Sequence, residues 1–315
     1  MHVLVTGGCG YVGSHVSLGL ARAGHRVTVV DNLSLGSPEN IRDGLPQPLP
    51  VAQVDVRDAE GLATVMERAE PEVVIHLAAL HFIPACNRDP QQAIRVNVDG
   101  TQGVLKAAAD APSVVGVVVA STAAVYAPSD KAHSESSAIG PTDIYGLTKL
   151  WSEQLAELFG RSTGKAVGVA RLFNVFGPGE TNPHLIPTIV RQLQEGPELR
   201  LGNLSTKRDY IYVEDVARGL IALAHAVRGG QSLTCNLGTG RQYDGQEIIQ
   251  TVARLMQRDV RLTTDAGRVR ASDRPSLLSD PSRASEKLGW RAETTLEQGL
   301  ERTLERPLAA GVTIV

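Results

Sequence analysis

The sequence predicts an α/β protein: a doubly wound parallel sheet followed by a smaller α/β region. Three observations carry that expectation. The first is the stretch Val3–His15, VLVTGGCGYVGSH, in which a short apolar strand runs through a glycine turn into a helix. The second is the alternation of apolar strand-length runs with helical patterns through the first half of the chain. The third is position: the polar and glycine residues that could bind something all follow strand ends, where open parallel sheets bind their ligands. These are Gly7, Asp31, Asp55, Ala78–His81, Ser121–Thr122 and Phe173–Asn174.

The glycine turn reads G-x-x-G-x-x-G over Gly7, Gly10 and Gly13. Gly7 permits the tight turn, Gly10 lets backbone approach a pyrophosphate, and Gly13 lets the helix pack on the strand. The helix N-terminus beyond it presents free N–H groups and a positive dipole end. A helix over Ser14–Ala23 ends at Gly24, and a second strand, Val27–Val30, runs into Asp31. An acid at about this distance beyond the turn takes the ribose hydroxyls of a dinucleotide. It would repel a 2′-phosphate, so the expected cofactor is NAD and not NADP.

Further strands are expected at Leu49–Val54, ended by Asp55, and at Glu72–Leu77, which has no polar face until His76. Such a run suits a strand buried on both sides. Helices are expected over Ala59–Ala69 and Pro90–Ala109. A fifth strand at Val114–Ala120, a helix at Tyr145–Phe159 and a sixth strand at Ala166–Leu172 complete the alternation. After Asn174 the texture changes. The segment Phe176–His184 is rich in turn residues, and helices are expected at Leu185–Gln194, Val213–Val227, Gln246–Met256 and Leu296–Leu304. Asp244 with Glu247, and Thr295 with Gln298, have the spacing of capping boxes for the last two. Arg268–Asp280 reads as too polar for core. The expected division is residues 1–173 for the dinucleotide and 174–315 for the substrate, with interleaved elements.

The chain has 315 residues, 42% hydrophobic and 21% charged, which is enough for a packed core of this size. A net charge of −3 provides no basic field for nucleic acid or an anionic membrane. The three cysteines, Cys9, Cys86 and Cys235, form neither a disulfide framework nor a zinc spacing, and fit a reducing compartment. Met1 leads directly into the first strand with no apolar run long enough to span a bilayer, so a cytoplasmic location is expected.

Tyr145 and Lys149 stand four residues apart at the start of a helix and project from one face. An ammonium beside a phenol favours the phenolate, and so does a nearby nicotinamide cation. That would bring a group with an ordinary pKa of about 10 into range as a base. Thr122, after the fifth strand, offers a hydroxyl to bridge a substrate hydroxyl to Tyr145.

These motifs resemble the extended short-chain dehydrogenase/reductases, in the NAD-dependent epimerase/dehydratase group with a Rossmann sheet. The resemblance rests on TGGCGYVGSH at Thr6–His15, DNL at Asp31–Leu33, HLAAL at His76–Leu80, NVDGT at Asn97–Thr101, STAAVY at Ser121–Tyr126, YGLTK at Tyr145–Lys149, RLFNVFGP at Arg171–Pro178 and KRDYIYVEDVA at Lys207–Ala217. It covers essentially the full length. It implies Tyr145 as acid/base, Lys149 on the nicotinamide ribose and Thr122 on the sugar O4. It places Tyr11 and Val12, with the three glycines, at the pyrophosphate, Asp31 and Asn32 at the adenosine ribose, and Asp55 and Val56 beside the adenine. Leu77, Ala78, Ala79, His81, Asn97 and Ser121 fall along the middle of the cofactor, and Phe173 behind the nicotinamide. Asn174, His184, Leu185, Arg208, Tyr210, Arg270 and Asp273 fall where the family contacts a nucleotide-sugar. A guanidinium such as Arg208 or Arg270 pairs with a diphosphate in bidentate fashion, and Asp273 suits a ribose diol. Asn182 reads equally as a turn residue. His81 reads either as a proton relay or as polar lining, the second being favoured.

Departures from the family narrow the chemistry. Dehydratase relatives place Asp-Glu directly after the threonine, where this chain has Ala123 and Ala124. Decarboxylating relatives carry a Glu near that point, which is absent. Uronate epimerases offer an arginine after the Gly-Pro turn, where this chain has Gly179-Glu180-Thr181, and Glu180 would repel a carboxylate. Leu277 stands where a bulky Tyr often lies near the N-acetyl pocket. The implied activity is inversion at C4 of a neutral hexose on a nucleoside diphosphate, of the UDP-glucose/UDP-galactose type, through a transient 4-keto sugar with bound NAD. N-acetylhexosamine or uronate 4-epimerisation, dehydration and 4-keto reduction stay open as alternatives. The exact hexose and nucleobase are not given by these residues. The resemblance also implies a homodimer paired through the helices Pro90–Ala109 and Tyr145–Phe159. No metal is expected.

Overall fold

The computed structural model describes residues 1–42, 45–265 and 274–305. The first half runs β1 (His2–Thr6), α1 (Tyr11–Arg22), β2 (Arg26–Val30), β3 (Val51–Ala52), α2 (Ala59–Ala69), β4 (Val73–His76), α3 (Ile83–Arg88), α4 (Pro90–Ile94), α5 (Gly100–Asp110), β5 (Gly116–Thr122), α6 (Ile144–Thr163) and β6 (Ala166–Leu172). The second runs β7 (Asn174–Phe176), α7 (Leu185–Glu195), β8 (Glu198–Leu201), β9 (Lys207–Arg208), β10 (Tyr210–Tyr212), α8 (Val213–Arg228), β11 (Leu233–Leu237), α9 (Gly245–Met256), β12 (Arg261–Thr264), β13 (Ser276–Leu277), α10 (Ser282–Leu288) and α11 (Leu296–Leu304).

Seven strands form one parallel sheet in the order β11-β6-β5-β4-β1-β2-β3. Order reverses between β1 and β4, so a crevice opens beyond their carboxyl ends. The central strands are buried on both faces, as their unbroken Val/Ile runs require. One face is covered by α1 and α8, whose Val16, Leu20, Val216, Leu220 and Leu223 pack on Val3, Val5 and Ile75. The other is covered by α2, α5 and α6, through Leu62, Met66, Val104, Leu105, Ala156 and Phe159. A third cluster, of Phe176, Ile186, Ile189, Leu193, Leu199, Ile248, Val252 and Leu300, forms the core of the later region. The doubly wound parallel sheet is therefore as the sequence predicts, and α8 and β11 belong to it although they follow residue 174.

The differences from the expected elements have local causes. The third strand keeps two ladder residues, because Pro50 and the turn at Asp55 bracket it. Helix α1 begins at Tyr11, directly on the glycine turn. The expected single helix Pro90–Ala109 is instead α4, a wider π turn over Arg95–Asp99 and α5. Both capping boxes are formed, on α9 and α11. The segment expected to be too polar for core is corrected within its described part: Arg274, Leu277 and Ser279 are buried, the first and last because their polar groups are hydrogen-bonded. No helix among the described residues is long and apolar enough to cross a membrane.

Candidate active site

A cavity of about 860 Å³ opens over the carboxyl ends of the main sheet and extends under the loops of the later region. Its floor begins at the glycine turn. Gly7 has φ +68°, and a Cβ at Gly7 would meet the backbone of Ala78 on β4's neighbouring loop at 2.8 Å. A Cβ at Gly13 would fall inside the Gly7 carbonyl, so α1 can start this close to β1 only with glycine there. Gly10 caps α1 without a side chain, which leaves the first amides of the helix facing the cavity for an anion. The Tyr11 hydroxyl is buried in the same lining and has no hydrogen-bond partner. Together with the Asp31 carboxylate, these features fit a dinucleotide.

Asp31 is held in place by two backbone amides, with Cys9 N–H at 3.0 Å on Oδ2 and Leu33 N–H at 2.8 Å on Oδ1. Asn32 donates to Asp55 at 2.8 Å. Arg57, two residues beyond Asp55, grips the same carboxylate with Nε and Nη2, both at 2.8 Å. That guanidinium, with the fork's hydrogen bonds, holds the Asp55 carboxyl well below the usual range. Val12, Val56, Leu77, Ala78 and Ala79 line this half. Asn97 does not reach the cavity. It is buried behind the lining, where its Oδ1 accepts Leu80 N–H at 2.7 Å and its Nδ2 donates to Leu80 O and Thr148 Oγ1, both at 2.9 Å. It shapes the loop that carries His81.

Thr122 ends β5 and Tyr145 opens α6, started by Asp143, whose carboxylate accepts Gly146 N–H at 2.8 Å. The Thr122 hydroxyl stands by the phenol and acts to lower its pKa. One turn on, Lys149 is only 2% exposed, and burial lowers its ammonium to about 8, with Glu153 acting to raise it. Enclosure pushes Tyr145 well above the ordinary value, and the Thr122 hydroxyl offsets only part of this. The charges acting on the phenol, Cys86 and Asp143, push the same way. Lys149 is itself desolvated, and among the groups acting on the phenol only Thr122 lowers it.

Glu153 carries a buried network under this pair. Arg171 donates to it through Nε at 3.0 Å and Nη2 at 2.7 Å, and the Ser121 hydroxyl donates to Oε1. Phe173, Asn174, His184, Leu185, Arg208 and Tyr210 all line the far half of the cavity. Burial raises the Tyr210 phenol to about 12, against the pull of Arg208. Arg270 and Asp273 lie outside the described residues.

Glu180, Arg57 and Arg274 also line the cavity, though none had been assigned a binding role. Glu180 is 3% exposed. Its carboxylate accepts Asn182 N–H at 2.9 Å and His184 Nδ1–H at 3.2 Å. Burial works against its charge, but His184 and these bonds hold it below the usual range. The Asn182 amide in turn donates to His81 Nε2 at 2.8 Å, so Asn182 is more than a turn residue. With Nε2 accepting, and with burial lowering its basicity, His81 is neutral polar lining. The only sequence signal for Arg57 was its place two residues after a strand-end acid. Ala123 and Ala124 leave no acid beside Thr122. Among the described residues no cluster of His, Cys, Asp or Glu is arranged to hold a metal.

Comparison with known proteins agrees with this geometry. The family model "NAD dependent epimerase/dehydratase family" matches residues 3–238. UDP-glucose 4-epimerase of Azospirillum brasilense is 32% identical, over 98% of this chain and 95% of its own length. The UDP-glucose complex of UDP-glucose 4-epimerase from Thermotoga maritima is 30% identical with a TM-score of 0.89, covering 97% of this chain and 98% of that one. UDP-glucose 4-epimerase from Stenotrophomonas maltophila, with bound NAD and formylated UDP-arabinopyranose, is also 30% identical, with a TM-score of 0.90 and 97% of each chain covered. On the family match and the near full-length relatives, this chain belongs to the NAD-dependent epimerase/dehydratase family.

Proposed function

We propose that this protein is an NAD-dependent nucleotide-sugar 4-epimerase of the UDP-glucose/UDP-galactose type. The observation that carries the reading is that Thr122, Tyr145 and, one turn on, Lys149 line one cavity with the glycine turn, with Ala123 and Ala124 following Thr122. The named relatives, and the UDP-sugars in their solved complexes, support the substrate class.

NAD, when bound, accepts a hydride from the sugar C4 and returns it. The chain's own residues do the rest. The glycine turn, the α1 N-terminus and Asp31 hold the dinucleotide. Tyr145, with the Thr122 hydroxyl beside it, takes the O4 proton and later gives it back. Lys149, cationic below pH about 8, stabilises the phenolate that must form. Arg208 and Tyr210 anchor the diphosphate side, while the hexose is held loosely enough to present either face. Ala123 and Ala124 put no carboxyl group directly after Thr122 to act as a second acid or base for elimination across C5–C6. Glu180, ionised and turned inward, disfavours a uronate. The smaller Leu277 at the cavity wall leaves room for an N-acetylated hexose as the second reading.

The test is incubation with UDP-, dTDP-, CDP- and GDP-hexoses without added cofactor, the C4 epimers being resolved by NMR. Interconversion of UDP-glucose and UDP-galactose is expected; stoichiometric NADH formation would instead assign a net dehydrogenase. We propose also that two copies pair through α5 and α6, on which Leu158 is 55% exposed, and that the protein works in the cytoplasm, where its three free, buried cysteines stay reduced. Sedimentation showing only monomer at micromolar concentration would contradict the pairing.

A further inference from the structure

Arg274 is 8% exposed, yet its guanidinium is spent on neutral oxygens from two other parts of the chain. Nη1 donates to the Tyr126 carbonyl at 2.6 Å. Nη2 donates to the Ala124 carbonyl at 3.0 Å and to Thr142 Oγ1 at 3.1 Å, which Nε also approaches at 3.4 Å. Two of these acceptors belong to the segments that carry the catalytic hydroxyls. The N–H of Ala124 donates to Thr122 Oγ1 at 3.2 Å, so a grip on Ala124 is a grip on the turn that orients Thr122. Thr142 precedes Asp143, the cap of α6, and so stands three residues before Tyr145. The two pieces also touch directly: a Cβ at Gly146 would come within 2.6 Å of the Ala124 carbonyl.

The backbone of Arg274 faces the opposite way. Its carbonyl accepts Arg208 Nη1 at 2.8 Å, and the strand that follows it, β13, pairs with β9, which carries Arg208. One residue therefore spans from the diphosphate anchor to both catalytic hydroxyls. A guanidinium suits this place because its rigid fork reaches several acceptors at once; an ammonium or an amide does not.

We propose that Arg274 is a positioning residue that sets how the Thr122 and Tyr145 hydroxyls face each other and couples that placement to the nucleotide-sugar anchor at Arg208. The proposal rests on the epimerase reading above.

Three variants test it, each compared with the wild-type holoenzyme. Arg274→Gln is expected to lower kcat by roughly 10- to 100-fold, with KM within threefold and bound NAD unchanged. Arg274→Lys is expected to recover only part of that loss, since one ammonium cannot hold Ala124 and Thr142 together. Thr142→Val changes an exposed residue and is expected to lower kcat by about 3- to 10-fold with the same unchanged KM. A raised KM at unchanged kcat would overturn the proposal by making Arg274 a substrate ligand. A lowered melting temperature with kcat and KM unchanged would overturn it by making Arg274 a brace only. Where Arg274→Gln does not fold, Thr142→Val decides, and an unchanged kcat there overturns the proposal. Wild-type protein that turns over no nucleotide-sugar refutes the epimerase reading alone; crystals of Thr142→Val and of the wild type then decide the positioning role, an unchanged separation of the Thr122 and Tyr145 hydroxyls overturning it and an altered one supporting it.

Discussion

The two halves of the cavity are built by different means. The dinucleotide half is made of backbone: a glycine turn, the start of a helix and the ends of strands in one continuous sheet. Its ties are mostly short in sequence or run between adjacent strands, as where Asp31 takes Cys9 N–H and Leu33 N–H. The sugar half is made of side chains reaching between short two-stranded ribbons, β7 with β10 and β9 with β13. Arg274 reaches Ala124 across 150 positions, Asn182 reaches His81 across 101, and Asp209 reaches Ser279 across 70. The first half is fixed by strand geometry. The second depends on hydrogen-bonded hubs, where losing one partner leaves another buried and unpaired.

That contrast orders the expected effects of substitution. Gly13→Ala strikes the rigid half, where a methyl overlaps the Gly7 carbonyl. The protein is expected to lose bound NAD altogether or to fail to fold, as read by the absorbance of released cofactor and by circular dichroism. Tyr145→Phe leaves both halves intact and removes the proton carrier. A fall in kcat of about 10²–10⁴-fold is expected, with NAD content unchanged; unaltered turnover would remove Tyr145 from the role. Arg208→Ala strikes the sugar half alone. Losing a hydrogen bond to a charged group costs about 1.5–3 kcal/mol, so KM for the nucleotide-sugar should rise roughly 10- to 100-fold with NAD retained.

Two smaller effects are read against pH. The Lys149 ammonium, lowered to about 8 by burial, is lost as pH rises through that value, so activity should fall on the alkaline side. Glu153 acts to raise it, so Glu153→Gln should move that limb to lower pH, and Arg171→Gln should move it the other way. His76 is fully buried between Thr6 and Thr101, and burial lowers its ring to about 3. The unfolded chain takes up this proton from about pH 6.5 downward while the folded chain does not. Stability from this group is complete well above pH 6.5 and is lost as pH falls, by roughly 1.6 kcal/mol between pH 6.5 and 5. Denaturant midpoints at the two pH values measure it, and His76→Asn should reduce the difference.

The same contrast explains what could be read from the residues alone. A parallel strand buried on both faces writes itself as an apolar run, and Ala166–Leu172 is legible to the residue, as is the amphipathic helix Ala59–Ala69. The glycine turn and the Tyr145/Lys149 spacing each lie within a single helix turn or loop, so local pattern carries them. The π turn over Arg95–Asp99 was not legible, because a wider turn leaves no periodicity of its own in five residues. Arg274 was read as part of a solvated stretch, since an arginine becomes interior only when distant carbonyls receive it. The enclosure of Tyr145 is not legible for the same reason: it is a property of the assembled cavity, absent from the four-residue spacing.

The central claim is a closed hydride cycle at C4 with Tyr145 carrying only the proton. Epimerisation of UDP-glucose deuterated at C4, in ordinary water with no added cofactor, tests it most directly. The account predicts that UDP-galactose keeps the deuterium at C4 and that no reduced cofactor is released. Product with hydrogen from solvent at C4, or NADH formed in proportion to sugar consumed, would contradict it.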